Sequence, residues 1–166
     1  VSLRRLGVQQ SQVMPLEPGR HAKAGLAPRS DFSFARNTNA IALTVAEFAM
    51  AARHYPIVFS AAAPVVPFAV TGVRDNENLF LDAKGVWRED TYVPAYVRRW
   101  PFAMARIEEN GSDMALCLDM GSGAFSETDG EPLFKEDGEA SELLLNAKQF
   151  CEDFEREAER TRQACE

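Results

Sequence analysis

The apolar segments of this chain are short, and prolines and polar turns separate them until one long amphipathic stretch near the C-terminal end. Residues 57–59, 65–73 and 79–81 each have the length and apolar character of a β-strand, and turn-forming residues follow at 75–78 and 82–85. Strands joined by short polar turns are typical of an antiparallel meander. The proline in the second run indicates that this strand lies at a sheet edge or begins at the proline.

A helix of about ten residues is predicted to begin at Thr44. Thr44 and Glu47 have the spacing of a capping box, and the residues flanking them have the spacing of a hydrophobic staple. Alanines of high helix propensity follow. Pro56 disfavours helical geometry in the residue before it, so we expect this helix to end near residue 54.

The second half of the chain predicts a hairpin and two more helices. Residues 102–107 and 114–118 have strand character, and the linker between them contains an Asn-Gly pair, a strong hairpin signal. A short helix is expected within residues 92–100. Residues 141–164 carry apolar side chains at spacings of three and four, which predicts a long helix. The fold class is therefore α+β: an antiparallel β-meander of about five strands with two main helices packed on one face.

The length of 166 residues suits a single domain with an appendage. Residues 1–30 lack periodicity, so we expect an extended segment that wraps the domain, with a short strand at 8–14. Residues 31–166 are expected to form one domain. The sequence stops inside the long helix without a terminating glycine, which indicates a domain truncated at its C-terminus. Its apolar stripe then predicts a self-association surface, such as a homodimer through the C-terminal helix.

Charge and cysteine content narrow the functional classes. A formal net charge of −7 argues against nucleic acid as a partner, because phosphates require a basic face. No apolar run approaches the roughly 20 residues that cross a bilayer, so we expect no membrane insertion. No Sec-type signal is visible, which favours the cytoplasm. The three cysteines show no CxxC pair and are expected to be free thiols.

Catalytic and metal motifs are weak in this sequence. The two histidines, His21 and His54, have no acidic residue at ligand spacing, so we expect no metal and no other cofactor. There is no GxSxG elbow for a nucleophile, and the pair Gly121 and Gly123 lacks the lysine of a phosphate loop. Adjacent acids in turns are usually solvated rather than poised for acid-base work. We expect no catalytic residue on these grounds.

Several phrases of aromatic, arginine and proline residues recur in a definite order, and together they carry a family resemblance. They are Phe34-Ala35-Arg36-Asn37, Glu47-Phe48, Arg53-His54-Tyr55-Pro56-Ile57-Val58-Phe59, Glu77-Asn78-Leu79-Phe80, Gly85 with Trp87, Tyr92-Val93-Pro94-Ala95-Tyr96, Arg98-Arg99-Trp100-Pro101-Phe102 and Leu133-Phe134. Over residues 13–154 the chain resembles the SapC family of bacterial proteins, whose name refers to the surface layer (S-layer).

The resemblance implies a binding role more than a reaction. The family name implies association with the cell surface, as an alternative to the cytoplasm. Family relatives lack an obvious catalytic signature, and some are encoded near outer-membrane receptors and flavin-dependent halogenases. That context implies, by association, a link to uptake or modification of a small molecule.

The segment between Trp87 and Trp100 is the best candidate for a ligand site. Guanidinium groups beside aromatic rings can hold a carboxylate or phosphate and stack a planar ligand. The alternative is structural, with arginines capping carbonyls and aromatic rings filling the core. The candidate ligand-binding residues are Trp87, Tyr92, Tyr96, Arg98, Arg99 and Trp100, with Asn78 and Arg53 as further contributors.

Two functional hypotheses follow from these features. The first is a non-catalytic, SapC-like binding or surface-layer-associated assembly protein that recognises a partner protein or a small anionic ligand. The second is an enzyme, or an accessory subunit of one, whose active site lies partly in an absent C-terminal region. A pocket that gathers titratable groups in opposed environments would favour the second.

Overall fold

The computed structural model describes residues 13–27, 31–106 and 114–166, and these residues form an α+β fold. The predicted fold class is confirmed. The strands are β1 Val13–Pro15, β2 Gly25–Leu26, β3 Ala40–Ala42, β4 Ile57–Phe59, β5 Pro67–Val70, β6 Phe102–Arg106, β7 Met114–Asp119, β8 Phe125–Ser126 and β9 Glu131–Pro132. The helices are α1 Pro18–His21, α2 Phe48–Ala51, α3 Ala95–Arg98 and α4 Glu142–Ala164, with 3₁₀ turns at Ser33–Ala35, Val45–Glu47 and Met120–Ser122.

The strands are distributed over three small antiparallel sheets rather than one meander. Their orders are β1-β7-β6, β8-β2-β9 and β3-β5-β4. The described chain divides into two compact units. The first comprises residues 31–98 and 154–166, and the second comprises residues 13–27, 99–106 and 114–153. The expectation of a single domain from residue 31 onward stays a prediction.

The first unit is built around the sheet β3-β5-β4. Ile41 and Ile57 both lie opposite Ala69 of the central strand, one on each side. The buried core beside this sheet contains Ile41 and Ala69, together with Ala35, Leu43, Ala51, Tyr55, Trp87, Tyr96 and Val97. Phe154, from the second half of α4, packs against the same core. Phe154 is thus the α4 residue that contributes to this core.

The second unit contains the other two sheets. Strands β6 and β7 pair in antiparallel register from Phe102 opposite Leu118 to Arg106 opposite Met114, as the predicted hairpin requires. Leu118 and Leu133 are fully buried in its core, where Leu144 and Cys151 of α4 join them. Leu133 and Phe134, which form one of the recurring phrases, are both buried in this core.

The helix predicted to begin at Thr44 is confirmed as a 3₁₀ turn followed by α2. A 3₁₀ turn at Val45–Glu47 continues into α2, and turns extend it to residue 54, ahead of Pro56. The backbone N–H of Thr44 donates to Glu47 Oε2 at 2.8 Å, which is the carboxylate half of a capping box. The long helix α4 spans Glu142–Ala164, close to its predicted bounds.

Two strand predictions in the first unit require correction. Residues 79–81 form no strand, because only Leu81 pairs, in an isolated bridge with Trp87. Strand β3, Ala40–Ala42, was not predicted, and it makes β5 the central strand. Pro67 is tolerated there because it is the first residue of β5, where its carbonyl accepts from Leu43 N–H at 2.9 Å.

Some predictions fall partly outside the described residues. The expected strand at 8–14 is described only from Val13, where β1 begins. The Asn-Gly linker of the hairpin, within residues 107–113, also lies outside the described residues. Among the helices that the structure does describe, none is both long and apolar enough to cross a membrane.

Candidate functional site

Trp87 lies in the core of the first unit and does not face solvent. Its ring is 5% exposed and meets Phe32 edge-on, with the ring centres 5.9 Å apart. Phe80 stacks on it at 6.5 Å. The indole Nε1–H donates to the Tyr55 hydroxyl at 3.1 Å, and that hydroxyl donates to the backbone carbonyl of Tyr92. Trp87 therefore contributes to packing and to a buried hydrogen-bond chain.

A buried carboxylate organises the polar part of this unit. The side chain of Glu47 is 6% exposed and accepts four hydrogen bonds. Its Oε2 accepts from the backbone N–H and the hydroxyl of Thr44, at 2.8 and 3.0 Å. Its Oε1 accepts from the Tyr92 hydroxyl at 3.0 Å and from Ala95 N–H at 2.7 Å. One carboxylate thus joins the start of α2 to the start of α3.

Arg98 lies at the exposed end of the same network. Its guanidinium lies over the Tyr92 ring, 5.5 Å from the ring centre, which is cation–π geometry. The Nε–H donates to Val93 O at 3.0 Å, and an Nη2 hydrogen donates to the Tyr92 hydroxyl at 3.1 Å. Contacts from Arg98 through Tyr92 to Glu47 therefore connect an exposed guanidinium to a buried carboxylate.

The remaining candidates are placed in different surroundings. Tyr96 is buried, with its ring 6.2 Å from Phe154. Asn78 is also buried, donating to Ala35 O at 3.1 Å and accepting from Phe80 N–H at 3.0 Å. Both side chains serve the fold of the first unit.

The other three predicted arginine and aromatic residues differ in burial and in the unit to which they belong. Arg99 is buried and Trp100 is half-buried, and both belong to the second unit. Arg53 lies on the surface just after α2. Within the first unit, Tyr92 and Arg98 of the predicted set are in contact and form one surface group, with Glu47 beneath them.

The protonation equilibria of two tyrosines reflect this environment. Burial raises the pKa of Tyr55, although the hydrogen bond from Trp87 opposes the effect. Burial also raises the pKa of Tyr92, and the charge of Glu47 raises it further, while Arg98 lowers it. Both phenols are neutral near pH 7, so Tyr92 donates to the carboxylate as a phenol.

The described part of the chain contains no cluster of metal-binding side chains. Within residues 13–27, 31–106 and 114–166, no three His, Cys, Asp or Glu side chains gather as a metal ion would require. His21 is buried, and its Nδ1 accepts from Glu17 N–H at 3.0 Å. That contact belongs to α1 rather than to a ligand site.

Glu47 is the important residue that the sequence-based site prediction missed. Its capping-box spacing with Thr44 was recognised, and that signal explains its contact with one helix start. The contacts with Tyr92 and Ala95 join residues more than 40 positions apart, and no local spacing encodes them.

Comparison with known proteins gives a family and no individual relative. No curated protein and no solved structure matches this chain. The family model of SapC matches residues 16–166, which is nearly the whole chain. This chain therefore belongs to the SapC family.

Proposed function

We propose that this chain is a non-catalytic binding or surface-layer-associated assembly protein, and that the Arg98–Tyr92 surface recognises an anionic group. That group is carried by a small ligand or by a partner protein. The observation that carries the proposal is the exposed Arg98 guanidinium, held in one orientation by the Tyr92 ring and the Val93 carbonyl. A cation fixed before binding loses less conformational entropy when it binds.

The guanidinium group of Arg98 suits oxyanions such as carboxylates and phosphates. Carboxylates and phosphates are recognised by the parallel N–H groups of a guanidinium, often in pairs. Glu47, buried beneath Tyr92, offsets part of the positive charge at a distance and keeps Tyr92 oriented. We therefore assign Arg98 as the binding residue, and Tyr92 and Glu47 as positioning residues.

The surroundings of Glu47 support a binding protein over an enzyme. A general acid or base must be able to exchange its proton with a substrate. Both oxygens of Glu47 are already occupied by donors from Thr44, Tyr92 and Ala95. Catalysis by this carboxylate would require breaking contacts that hold two helix starts.

Titration with defined anions tests the proposed function. The probes are inorganic phosphate, citrate and a short peptide with a free terminal carboxylate, added to the ¹⁵N-labelled chain. We expect the Arg98 Nε–H resonance to shift saturably with at least one probe. Arg98→Lys keeps the charge and loses the fork, so affinity should fall by about tenfold or more.

Arg53→Lys is the matched control, because Arg53 is also exposed and lies outside the Arg98–Tyr92 contact. It should leave the affinity unchanged. Tyr92→Phe should weaken binding less than Arg98→Lys does, because the ring remains under the guanidinium. Equal loss in Arg53→Lys and Arg98→Lys would show general charge attraction and would overturn the proposed site.

A further inference from the structure

Strand β4 presents an apolar edge. It is the outer strand of β3-β5-β4, and no other strand in the described part of the chain pairs with it. Val58 is 44% exposed and Phe59 is 54% exposed. Edge strands of monomeric proteins are commonly protected by charged side chains, and Ile57–Phe59 carries none.

The hydrogen-bond pattern shows which backbone groups of β4 face outward. Val70 N–H donates to Pro56 O at 3.0 Å, and Ser60 N–H donates to Val66 O at 2.9 Å. Residues that bond to one neighbouring strand alternate along an antiparallel strand. Pro56, Val58 and Ser60 therefore face β5, and the N–H and C=O groups of Ile57 and Phe59 point away from it.

These outward groups are symmetric about Val58. Two antiparallel copies of β4 centred on Val58 would place Ile57 of each copy opposite Phe59 of the other. Both outward residues then meet in hydrogen-bonded pairs, and the two Val58 residues meet in the non-hydrogen-bonded pair on the axis. The register leaves no outward N–H or C=O of these two residues unpaired.

We propose that β4 is a dimerisation edge, at which two copies of this chain pair antiparallel about a two-fold axis through Val58. The occupant is a second copy because the strand is self-complementary in both hydrogen bonding and side chains. Each Ile57 would face a Phe59, and a β-branched residue opposite an aromatic is a favourable cross-strand pair. A two-fold interface uses the same patch on both copies.

Charge supports the same occupant. Each copy carries a formal net charge of −7, so close approach of two copies is opposed over most of the surface. Residues 55–73 contain no charged side chain, although 26% of the chain is charged. Two copies that meet along β4 therefore bring together neutral strips. A partner of opposite charge would find no anchoring charge on this strand.

Concentration-dependent hydrogen exchange tests the inference directly. The whole 166-residue chain is measured between about 10 µM and 1 mM, with sedimentation velocity at the same concentrations. We expect the sedimentation coefficient to rise toward that of a dimer. We also expect exchange at the amides of Ile57 and Phe59 to slow as concentration rises. A chain that stays monomeric at 1 mM, or dimerises without slower exchange at these amides, would overturn the proposal.

A charge-swap experiment on the axis separates the proposed interface from any other. Val58→Lys places two ammonium groups together on the axis and should raise the dimer dissociation constant by at least about tenfold. Val73→Lys is the matched control, because Val73 is 86% exposed, lies outside β4 and receives the same charge. That variant should dimerise like the unaltered chain.

Mixing two oppositely charged variants of Val58 tests whether the two-fold axis passes through this residue. Equal amounts of Val58→Lys and Val58→Glu should form a heterodimer more tightly than either variant forms a homodimer. Circular dichroism of each variant checks that the fold is retained, and Val58→Thr supplies a neutral β-branched variant. A mixture no tighter than its components would contradict this geometry.

Discussion

At the scale of single residues, the buried carboxylate of Glu47 depends on its hydrogen-bond donors to offset the loss of water. It is buried and accepts hydrogen bonds from Thr44, Tyr92 and Ala95. Glu47→Gln would present an amide N–H₂ to donors on one side of that site. We expect a loss of about 2–4 kcal/mol in the free energy of unfolding, because buried donors would lose a charged acceptor. Chemical denaturation measures it.

Glu89→Gln is the control for this substitution. Glu89 lies in the same unit but is exposed, so the change should cost less than about 0.5 kcal/mol. Comparable losses in the two variants would show that the buried hydrogen bonds of Glu47 contribute little to stability.

Gly85 is required by its backbone conformation and its neighbours. Its φ is +81°, and an added Cβ would lie 2.1 Å from Asp31 Oδ1 and 2.2 Å from Ser33 Oγ. We expect Gly85→Ala to lower the free energy of unfolding by about 1–3 kcal/mol. Gly123 has φ +70° with no atom within 4 Å, so Gly123→Ala should show the backbone cost alone. Equal losses in thermal unfolding would exclude a steric contribution at Gly85.

Residue types alone could not separate binding from packing in the candidate site. Trp87, Tyr96 and Asn78 have the chemistry of a ligand site, yet tertiary contacts bury all three. Their burial depends on strands and helices distant in sequence, such as Phe154 beside Tyr96. Tyr92 and Arg98 were both among the candidates, and they are in contact because α3 begins just after Tyr92 and ends at Arg98, so the contact is local in sequence.

At the scale of elements, the 3₁₀ turn that leads into α2 is capped by a side chain of α4. Val45 N–H donates to Thr161 Oγ1 at 2.9 Å, and that hydroxyl donates to Glu157 O at 2.7 Å. Thr161→Val keeps the shape and leaves the N–H of Val45 without an acceptor. We expect a loss of about 1–3 kcal/mol in the free energy of unfolding.

Thr161→Ser tests whether the hydroxyl is responsible. Serine restores the acceptor and removes one methyl group, so most of the stability lost in Thr161→Val should return. If Thr161→Ser were as unstable as Thr161→Val in urea denaturation, packing of the methyl group would be the cause instead.

Elements with strong local signals were predictable, and those defined by pairing were not. The capping residues and Pro56 determined the first helix, and spacing of three and four determined α4. Strand β3 is only three residues long, and its stability comes from pairing with β5 nearly thirty residues later. Residues 79–81 show the converse, because apolar character alone does not supply a pairing partner.

At the scale of the whole molecule, the two compact units are discontinuous in sequence. Strand β1 pairs with β7, and β2 pairs with β8 and β9, so these two sheets of the second unit join residues about a hundred positions apart. Helix α4 contributes Leu144 and Cys151 to one core and Phe154 to the other. Such long-range pairing has no local sequence signature, which is why a single meander was expected and three sheets were found.

Buried acids in both units give the whole molecule a predictable response to alkaline pH. Burial raises the pKa of Cys117 above its ordinary value of 9.0, and the pKa values of Tyr55 and Tyr92 above 10.0. These groups are neutral in the folded chain where the unfolded chain would already have lost their protons. Their contribution to stability is therefore complete below about pH 9 and is lost as pH rises through the folded-state values.

We accordingly expect the free energy of unfolding to fall progressively between about pH 9 and pH 11, measured by urea denaturation at each pH. Cys117→Ala should remove the earliest part of this decline, and Tyr55→Phe part of the later decline. Each variant will also shift the stability at pH 7, so the slope against pH is the informative quantity. A slope in Cys117→Ala and Tyr55→Phe equal to that of the unaltered chain would mean that other groups control alkaline unfolding.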